Sequence, residues 1–327
     1  MANILFEMKD VFTNEKDLFI GEKMNIGFDI GGSHIASGIV NEKGQLIGKE
    51  SEDIDISKFK TETEIEDFII EIIDRKINYL LVRYNYHISD INKIGIAIPG
   101  NVKNNIIQNV VNLHIKKFDI AQRLSNIYNK EIKVKNDAKC AGIAEKKFGN
   151  LKEYNDAVFL CMGTGVGCAV FMQGVLLEPK QATGFELGHM VIEKNGIECN
   201  CKNKGCFETY ASMKRFKKNA IARLNLPLSI EAGQVQYYIR ENFYTNSEVK
   251  KFVNEYIDNV AIGITNIINI FEPEAIAFGG SFSYYSDIFL PLLETKIEKL
   301  KFNKETKTKL LVAKLKNDAG IIGATLI

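Results

Sequence analysis

Met24-Asn-Ile-Gly-Phe-Asp-Ile-Gly-Gly-Ser33 and Ala157-Val-Phe-Leu-Cys-Met-Gly-Thr-Gly-Val-Gly167 are two stretches built on one plan. Each is a short, largely apolar run that reads as a buried strand, broken by glycines that allow positive φ or close approach by another group. Residues 35–40 follow the first as a second strand, which turns at Asn41-Glu-Lys-Gly44 and returns through residues 45–48. After the second come a strand at 168–172, a turn at Gln173-Gly174 and a strand at 175–177. Strand, glycine turn, strand, tight turn, strand thus occurs twice, far too widely spaced for a solenoid. Two related halves facing one another are expected.

Between and after these meanders the period changes. Ile65, Phe68, Ile69, Ile72, Ile73, Ile77, Leu80 and Leu81 place one apolar stripe on a helix of about six turns. Residues 94–98 read as a buried strand ending at Pro99-Gly100, and Val134 closes another. Asp137 opens a helix through Ala144 to Phe148, stopped by Gly149. Val253, Ile257, Val260, Ile264, Ile267, Ile268 and Phe271 mark a long buried helix. A strand at 275–278 ends in Gly279-Gly280-Ser281, and a strand at 310–313 precedes a small apolar helix from Ala319. Buried strands alternating with helices give the α/β class. The expected organisation is an N-terminal extension 1–23, a small α/β domain 24–137 joined by the C-terminal helix 315–327, and a large α/β domain 138–314 carrying a loop at 189–208. The lysine-rich residues 296–309 are expected as solvated helix and loop.

Composition narrows the function. The 327 residues hold 42 basic against 41 acidic side chains, so net charge is +1 and no broad field invites nucleic acid or a membrane surface. No apolar stretch reaches the roughly 18 residues that would span a bilayer, and residues 1–23 lack a signal-like apolar core. A cytoplasmic location is expected, where thiols stay reduced. The six cysteines then read as core residues or metal ligands.

Asp29 ends its strand beside Gly31 and Gly32, whose bare backbones admit a phosphate, while Ser33 adds a hydroxyl donor. A carboxylate there suits Mg²⁺, which prefers oxygen ligands. Gly163, Thr164, Gly165 and Gly167 form a second phosphate-sized turn, and Gly279 with Gly280 a third corner where a nucleoside could rest. Each alone is equally well a hairpin turn. Three of them ending buried strands point to ligand binding, because open α/β sheets bind at the carboxyl ends of their strands. No Gly-x-x-x-x-Gly-Lys-Ser/Thr occurs, so a P-loop is excluded.

His189, Cys199, Cys201 and Cys206 form His-x₉-Cys-x-Cys-x₄-Cys. Soft ligands at this spacing suit a closed tetrahedral Cys₃His zinc site. The intervening Asn200, Lys202, Asn203 and Lys204 build no core, so a structural zinc would hold the loop. The alternative, closely spaced free thiols on a surface loop, is a liability. Cys140, Cys161 and Cys168 are expected as small core residues.

Residues 24–327 resemble the ROK family of bacterial sugar kinases and sugar-responsive repressors. The family signature Glu-x-Gly-His-x₉-Cys-x-Cys-Gly-x₂-Gly-Cys-x-Glu is matched from Glu186 to Glu208, except that Lys202 stands where the family has glycine. Asp29-Ile-Gly-Gly-Ser33 resembles the first phosphate motif, Asn136-Asp137-Ala138 the catalytic pair, Gly163 to Gly167 the second phosphate motif, and Asn317-Asp-Ala-Gly-Ile-Ile-Gly-Ala324 the closing segment. The resemblance implies an actin-like or hexokinase-like (ribonuclease H-like) fold, two domains closing around a cleft. It implies an ATP-dependent, glucokinase-like sugar kinase with Asp137 as the base on the sugar hydroxyl. Asn136, Glu186, His189 and Glu208 would contact the sugar, with Asn112 and Gly100 as further contacts. His189 would serve zinc and sugar with one ring nitrogen each. Taken from the residues alone, Asn136 and Asp137 read first as a helix N-cap.

Glucose is the first substrate expected, at O6. N-acetylmannosamine is the second, because residues 140–149 are similar to kinases of that sugar, and fructose and N-acetylglucosamine stay open. ATP, Mg²⁺ and zinc are the expected cofactors, and a homodimer or tetramer is what the resemblance suggests. The rival class is a sugar-responsive transcriptional regulator, against which stand only 23 non-basic residues before the first strand, too few for a three-helix DNA-binding unit.

Overall fold

The computed structural model describes residues 22–110, 113–180 and 184–327. Residues 1–21 of the expected extension, and Asn112, lie outside them. The chain forms two compact units. One gathers the described residues up to Cys140 with Gly320–Ile327; the other is Ala141–Ala319.

In the first unit β1 (Met24–Ile30), β2 (His34–Asn41) and β3 (Leu46–Asp53) make an antiparallel meander. β4 (Ile91–Ile98) and then β8 (Glu131–Asn136) add in parallel, for a sheet ordered β3-β2-β1-β4-β8. A small sheet of β5 (Asn101–Lys103), β6 (Ile106–Val110) and β7 (Ile115–Phe118) lies between β4 and β8 in sequence. Side chains alternate across a strand. Ile26, Phe28 and Ile30 of β1 therefore join one core with Ile69, Ile73 and Ile77 of helix α1 (Glu62–Arg83). That helix starts where Thr61 and Glu64 cap each other reciprocally. Helix α2 (Ile120–Tyr128) buries Ile120 and Leu124 in the same core. Helix α3 (Asp137–Phe148) begins directly after β8.

The other face of β1 carries Gly27, paired in register with Gly38 on β2 and Gly95 on β4. This row of bare backbone lets α9 (Ala319–Ala324) descend onto the sheet: a Cβ at Gly27 would collide with Ile321 O, and one at Gly95 with Ala324 O. Lys93 Nζ donates to the carbonyl of Ile327, fastening the chain end to β4.

The second unit repeats the plan. β9 (Ala157–Met162), β10 (Val166–Met172) and β11 (Val175–Leu176) form the meander, and β12 (Ala275–Gly279) and β13 (Lys309–Val312) add in parallel, in the order β11-β10-β9-β12-β13. Helices α4 (Glu208–Ala211), α5 (Met213–Arg223), α6 (Ala232–Asn242), α7 (Ser247–Phe271) and α8 (Ser286–Leu300) complete it. The core centres on Phe216, within 5.0 Å of Phe252 and 5.4 Å of Phe289, with Val253, Ile257, Val260 and Ile264 of α7. Asn246 caps α7 by accepting from the amides of Glu248 and Val249.

Two expectations need correction. β10 starts at Val166, so the glycine turn is only Gly163–Thr164–Gly165, and Gly167 pairs with Cys161 inside the ladder. In the lysine-rich run, Lys301 is 4% exposed; its Nζ donates to Thr306 O (2.6 Å) and Glu298 (2.7 Å), closing the loop after α8 instead of solvating it. Among the described residues no helix is long and apolar enough to cross a membrane.

Candidate functional site

β1, β4 and β8 run parallel, so their carboxyl ends emerge on one edge of the sheet. They deliver Asp29, the Pro99-Gly100 corner and Asn136-Asp137. Asn136 is held at both ends of its amide: Oδ1 accepts from Lys139 N (3.2 Å) and Nδ2 donates to Gly100 O (3.1 Å). It caps α3 and pins the corner where Gly100 adopts φ +89. Asp137 Oδ1 accepts from Ala138 N at 2.8 Å, orienting the carboxylate at a helix N-terminus, where negative charge is favoured. The capping and catalytic readings of this pair are thus compatible. Asp29 is partly buried. Burial first, then the negative charge of Asp137, push its carboxyl up to about 7, with Lys49 pulling the other way. A buried carboxyl that also feels a second carboxylate is a place where a proton or a cation is favoured. Gly31, Gly32 and the exposed Ser33 turn β1 into β2, closed by Gly31 N donating to His34 O.

In the second unit His189, Cys199, Cys201 and Cys206 bring their ligand atoms within 4.8 Å of one another. Cys201 Sγ lies 3.6 Å from Cys206 Sγ, and Cys199 Sγ 3.7 Å from His189 Nδ1. A tetrahedron with Zn–S bonds of ~2.3 Å has edges of about 3.8 Å, while a disulfide needs ~2.0 Å, so the spacing fits a closed zinc site. Burial pushes the Cys206 thiol up to about 12, so a thiolate there calls for a cation. The loop is a fitted piece. Phe207 is fully buried against Gly263 of α7, and Phe207 N donates to Met190 O. Lys202 takes φ +73, the left-handed conformation that accounts for glycine at that place in the signature. Glu186 and His189 are exposed at either end of one turn whose Leu187 and Gly188 are buried. Phe185 before it holds φ +56, a strained value for an aromatic residue.

Parallel β9 and β12 end side by side, with Gly279 opposite Cys161. At Gly280 a Cβ would press on Met162 O, and φ is +68, so the backbone itself demands glycine. Gly163 differs. Its φ lies outside the positive range, and no heavy atom of the described residues beyond its chain neighbours comes within 4 Å of a Cβ built on it. The fold leaves room for a side chain that the sequence withholds, which favours close approach by a ligand over turn chemistry. Glu208 meets this turn: its Oε2 accepts from Val166 N at 2.9 Å.

Each unit therefore assembles its own set: Asp29, Gly31, Gly32, Ser33, Gly100, Asn136 and Asp137 in the first, the Cys₃His cluster, Glu186, Glu208 and the glycine corners in the second. Reading the sequence missed that Gly320 lies on Asp29, although Gly320 stands in the closing segment already singled out. Cys161, expected in the core, is only partly buried between the two glycine corners.

The sequence profile of the ROK family matches residues 25–327. The glucokinase of Thermotoga maritima is 28% identical, over 92% of this chain and 96% of its own length. Among solved structures, a ROK family glucokinase from Streptomyces griseus in complex with glucose and AMPPNP aligns with a TM-score of 0.77 and 22% identity, over 92% of this chain and 98% of that one. A ROK family transcriptional regulator, homologous to the E. coli MLC protein, gives a TM-score of 0.81 and 20% identity, over 93% of this chain and 77% of its own. These likenesses establish the actin-like, hexokinase-like α/β fold.

Proposed function

Because this chain belongs to the ROK family, we propose that it is an ATP-dependent sugar kinase that phosphorylates a hexose hydroxyl, O6 of glucose first, with N-acetylmannosamine as the alternative substrate. The carrying observation is the placement of two carboxylates, Asp29 and Asp137, at the carboxyl ends of parallel strands of one sheet, where the charge of Asp137 reaches Asp29. Phosphoryl transfer would use both carboxylates, Asp137 as the base and Asp29 toward the nucleotide's cation.

Asp137 accepts the proton of the sugar hydroxyl as that oxygen bonds to the γ-phosphorus and ADP departs. An ordinary carboxylate suffices as base because the transition state is loose and positioning does most of the work. Asp29 is the residue that would hold the Mg²⁺ of the nucleotide, and the ion, when bound, neutralises phosphate charge. Glu186, His189 and Glu208 bind sugar hydroxyls, with Nδ1 of His189 on the metal side and Nε2 left for the sugar. His189, Cys199, Cys201 and Cys206 would hold zinc as a structural ion, every ligand position being protein. The glycine corners at 163–165 and 279–280 take the phosphates and nucleoside. The protein works in the cytoplasm, as a homodimer.

A coupled assay of ADP release over a panel of hexoses and N-acetylhexosamines tests this reading. Turnover with one of them supports it and names the substrate; no turnover with any, together with a shift of operator DNA at physiological salt, replaces it with the regulator reading.

A further inference from the structure

We infer that Glu208 is a positioning residue for the glycine turn, so that the metal loop governs how the protein takes nucleotide phosphate as well as how it takes sugar. This rests on the kinase reading for what the turn binds, but not for how the turn is held.

The turn is braced by the segments that bear the metal ligands. Glu208 Oε2 accepts from Val166 N at 2.9 Å, and a Cβ at Gly165 would strike that same oxygen. Gly163 O accepts from Lys214 N at 3.1 Å, which ties the other arm of the turn to the start of α5. Gly188, immediately before His189, lies so close beneath Val166 O that a Cβ there would collide with it. Glu208 follows Cys206 by two residues, and Cys206 pairs across a bridge with Val191. The metal ligands at 189 and 206 therefore flank both contacts on Val166. A carboxylate is an unusual neighbour for a phosphate-binding turn, since the charges repel. Its value lies in a charge-assisted hydrogen bond to backbone, about twice as strong as a neutral one, which fixes the turn before any nucleotide arrives. A sugar hydroxyl donating to the same carboxylate would order that brace further, so sugar and nucleotide would each tighten the other's binding.

The test compares Glu208→Gln, Glu208→Ala and Gly165→Ala with the parent. Two readouts are used: calorimetric affinity for AMPPNP without sugar, and hydrogen exchange over residues 163–167. A glutamine oxygen still accepts from Val166 N but without the charge, so Glu208→Gln weakens nucleotide affinity and speeds exchange less than Glu208→Ala does. Glu208→Ala loses the bond, and Gly165→Ala pushes the carboxylate off it; both weaken AMPPNP about 5- to 20-fold and speed exchange in the turn. A residue that contacts only sugar would move neither readout. Unchanged affinity and exchange in Glu208→Ala overturn the inference. If the parent itself fails to bind AMPPNP, the kinase reading falls, and exchange alone decides: acceleration in Glu208→Ala and Gly165→Ala upholds the brace, and its absence removes it.

Discussion

The backbone of Gly320 lies directly against the carboxylate of Asp29: a Cβ started at Gly320 would collide with Asp29 Oδ2. The closing segment of the chain therefore walls the candidate site at Asp29. Its α9 can reach Asp29 only because Gly27 and Gly95 beneath it carry no side chains.

Gly320→Ala therefore acts on chemistry and packing together. Overfilling a close-packed contact costs about 1–3 kcal/mol. The displaced carboxylate would also lose its place beside Asp137. The expected outcome is a lower unfolding temperature with kcat reduced by at least tenfold. Full turnover in a folded Gly320→Ala protein would mean that Asp29 has no fixed position in the reaction.

Asp29 makes stability depend on pH in a definite direction. Its carboxyl binds a proton more readily folded, near 7, than at its ordinary 3.8. The stability linked to it is thus fully present below pH 3.8 and is lost as pH climbs toward 7. Asp29→Asn removes the penalty of an ionised buried carboxylate. The variant should match the parent near pH 4 and exceed it at pH 8 by up to ~4 kcal/mol, while turnover is abolished. Chemical denaturation at both pH values checks this; a gap that does not open with pH would rule out the buried-carboxylate picture.

Asp137→Asn keeps the acceptor for Ala138 N and so preserves the start of α3. Loss of a positioned base costs about 10²- to 10⁴-fold in kcat. Sugar affinity by calorimetry should stay within about threefold, because the amide still hydrogen-bonds a hydroxyl. The same substitution removes a charge that raises the proton affinity of Asp29, so the pH midpoint of the stability change should move down. Undiminished turnover would remove Asp137 from the role of base.

The repeated meander was legible because β1 and β9 are apolar runs that end in glycine, and α1 because its isoleucines recur at helical spacing. The sheet β5-β6-β7 was not read. Its strands of three to five residues turn through Asn104 and Asn105 at positive φ, with no alternation long enough to register. Lys301 reads as solvated in sequence, because a run of lysines carries no mark of the one that turns inward. The row Gly38-Gly27-Gly95 exists only after three strands pair, and the contact of Gly320 with Asp29 only after α9 lies on that row. Local chemistry shows in a sequence, whereas these contacts are set by register between distant segments.

Gly163 allows a separation of fold from function. A side chain there meets open space, and φ is not positive, so Gly163→Ala should leave stability unchanged or raise it by ~0.4–1 kcal/mol through the unfolded chain. If the turn holds phosphate by close approach of its backbone, the KM for ATP should rise at least tenfold while that for sugar stays level. Equal KM for ATP in the variant would return this glycine to ordinary turn chemistry.

The metal loop can be tested at the residue that departs from the signature. Lys202 sits at φ +73, between Cys201 and Asn203, where an L side chain costs roughly 1 kcal/mol or more. Lys202→Gly relieves that strain but gives the unfolded loop more freedom, so the net gain is expected below ~1 kcal/mol. The gain should appear only with the loop folded around its ion. Metal analysis should find about one zinc per chain, and a chelator should lower the unfolding temperature of parent and variant alike, because an ion that binds only the folded loop stabilises it by mass action. If Lys202→Gly tightens zinc retention against a competing chelator, the loop and the ion fold as one unit. If the chelator changes neither unfolding nor hydrogen exchange over 189–208, the four ligands do not hold a structural metal.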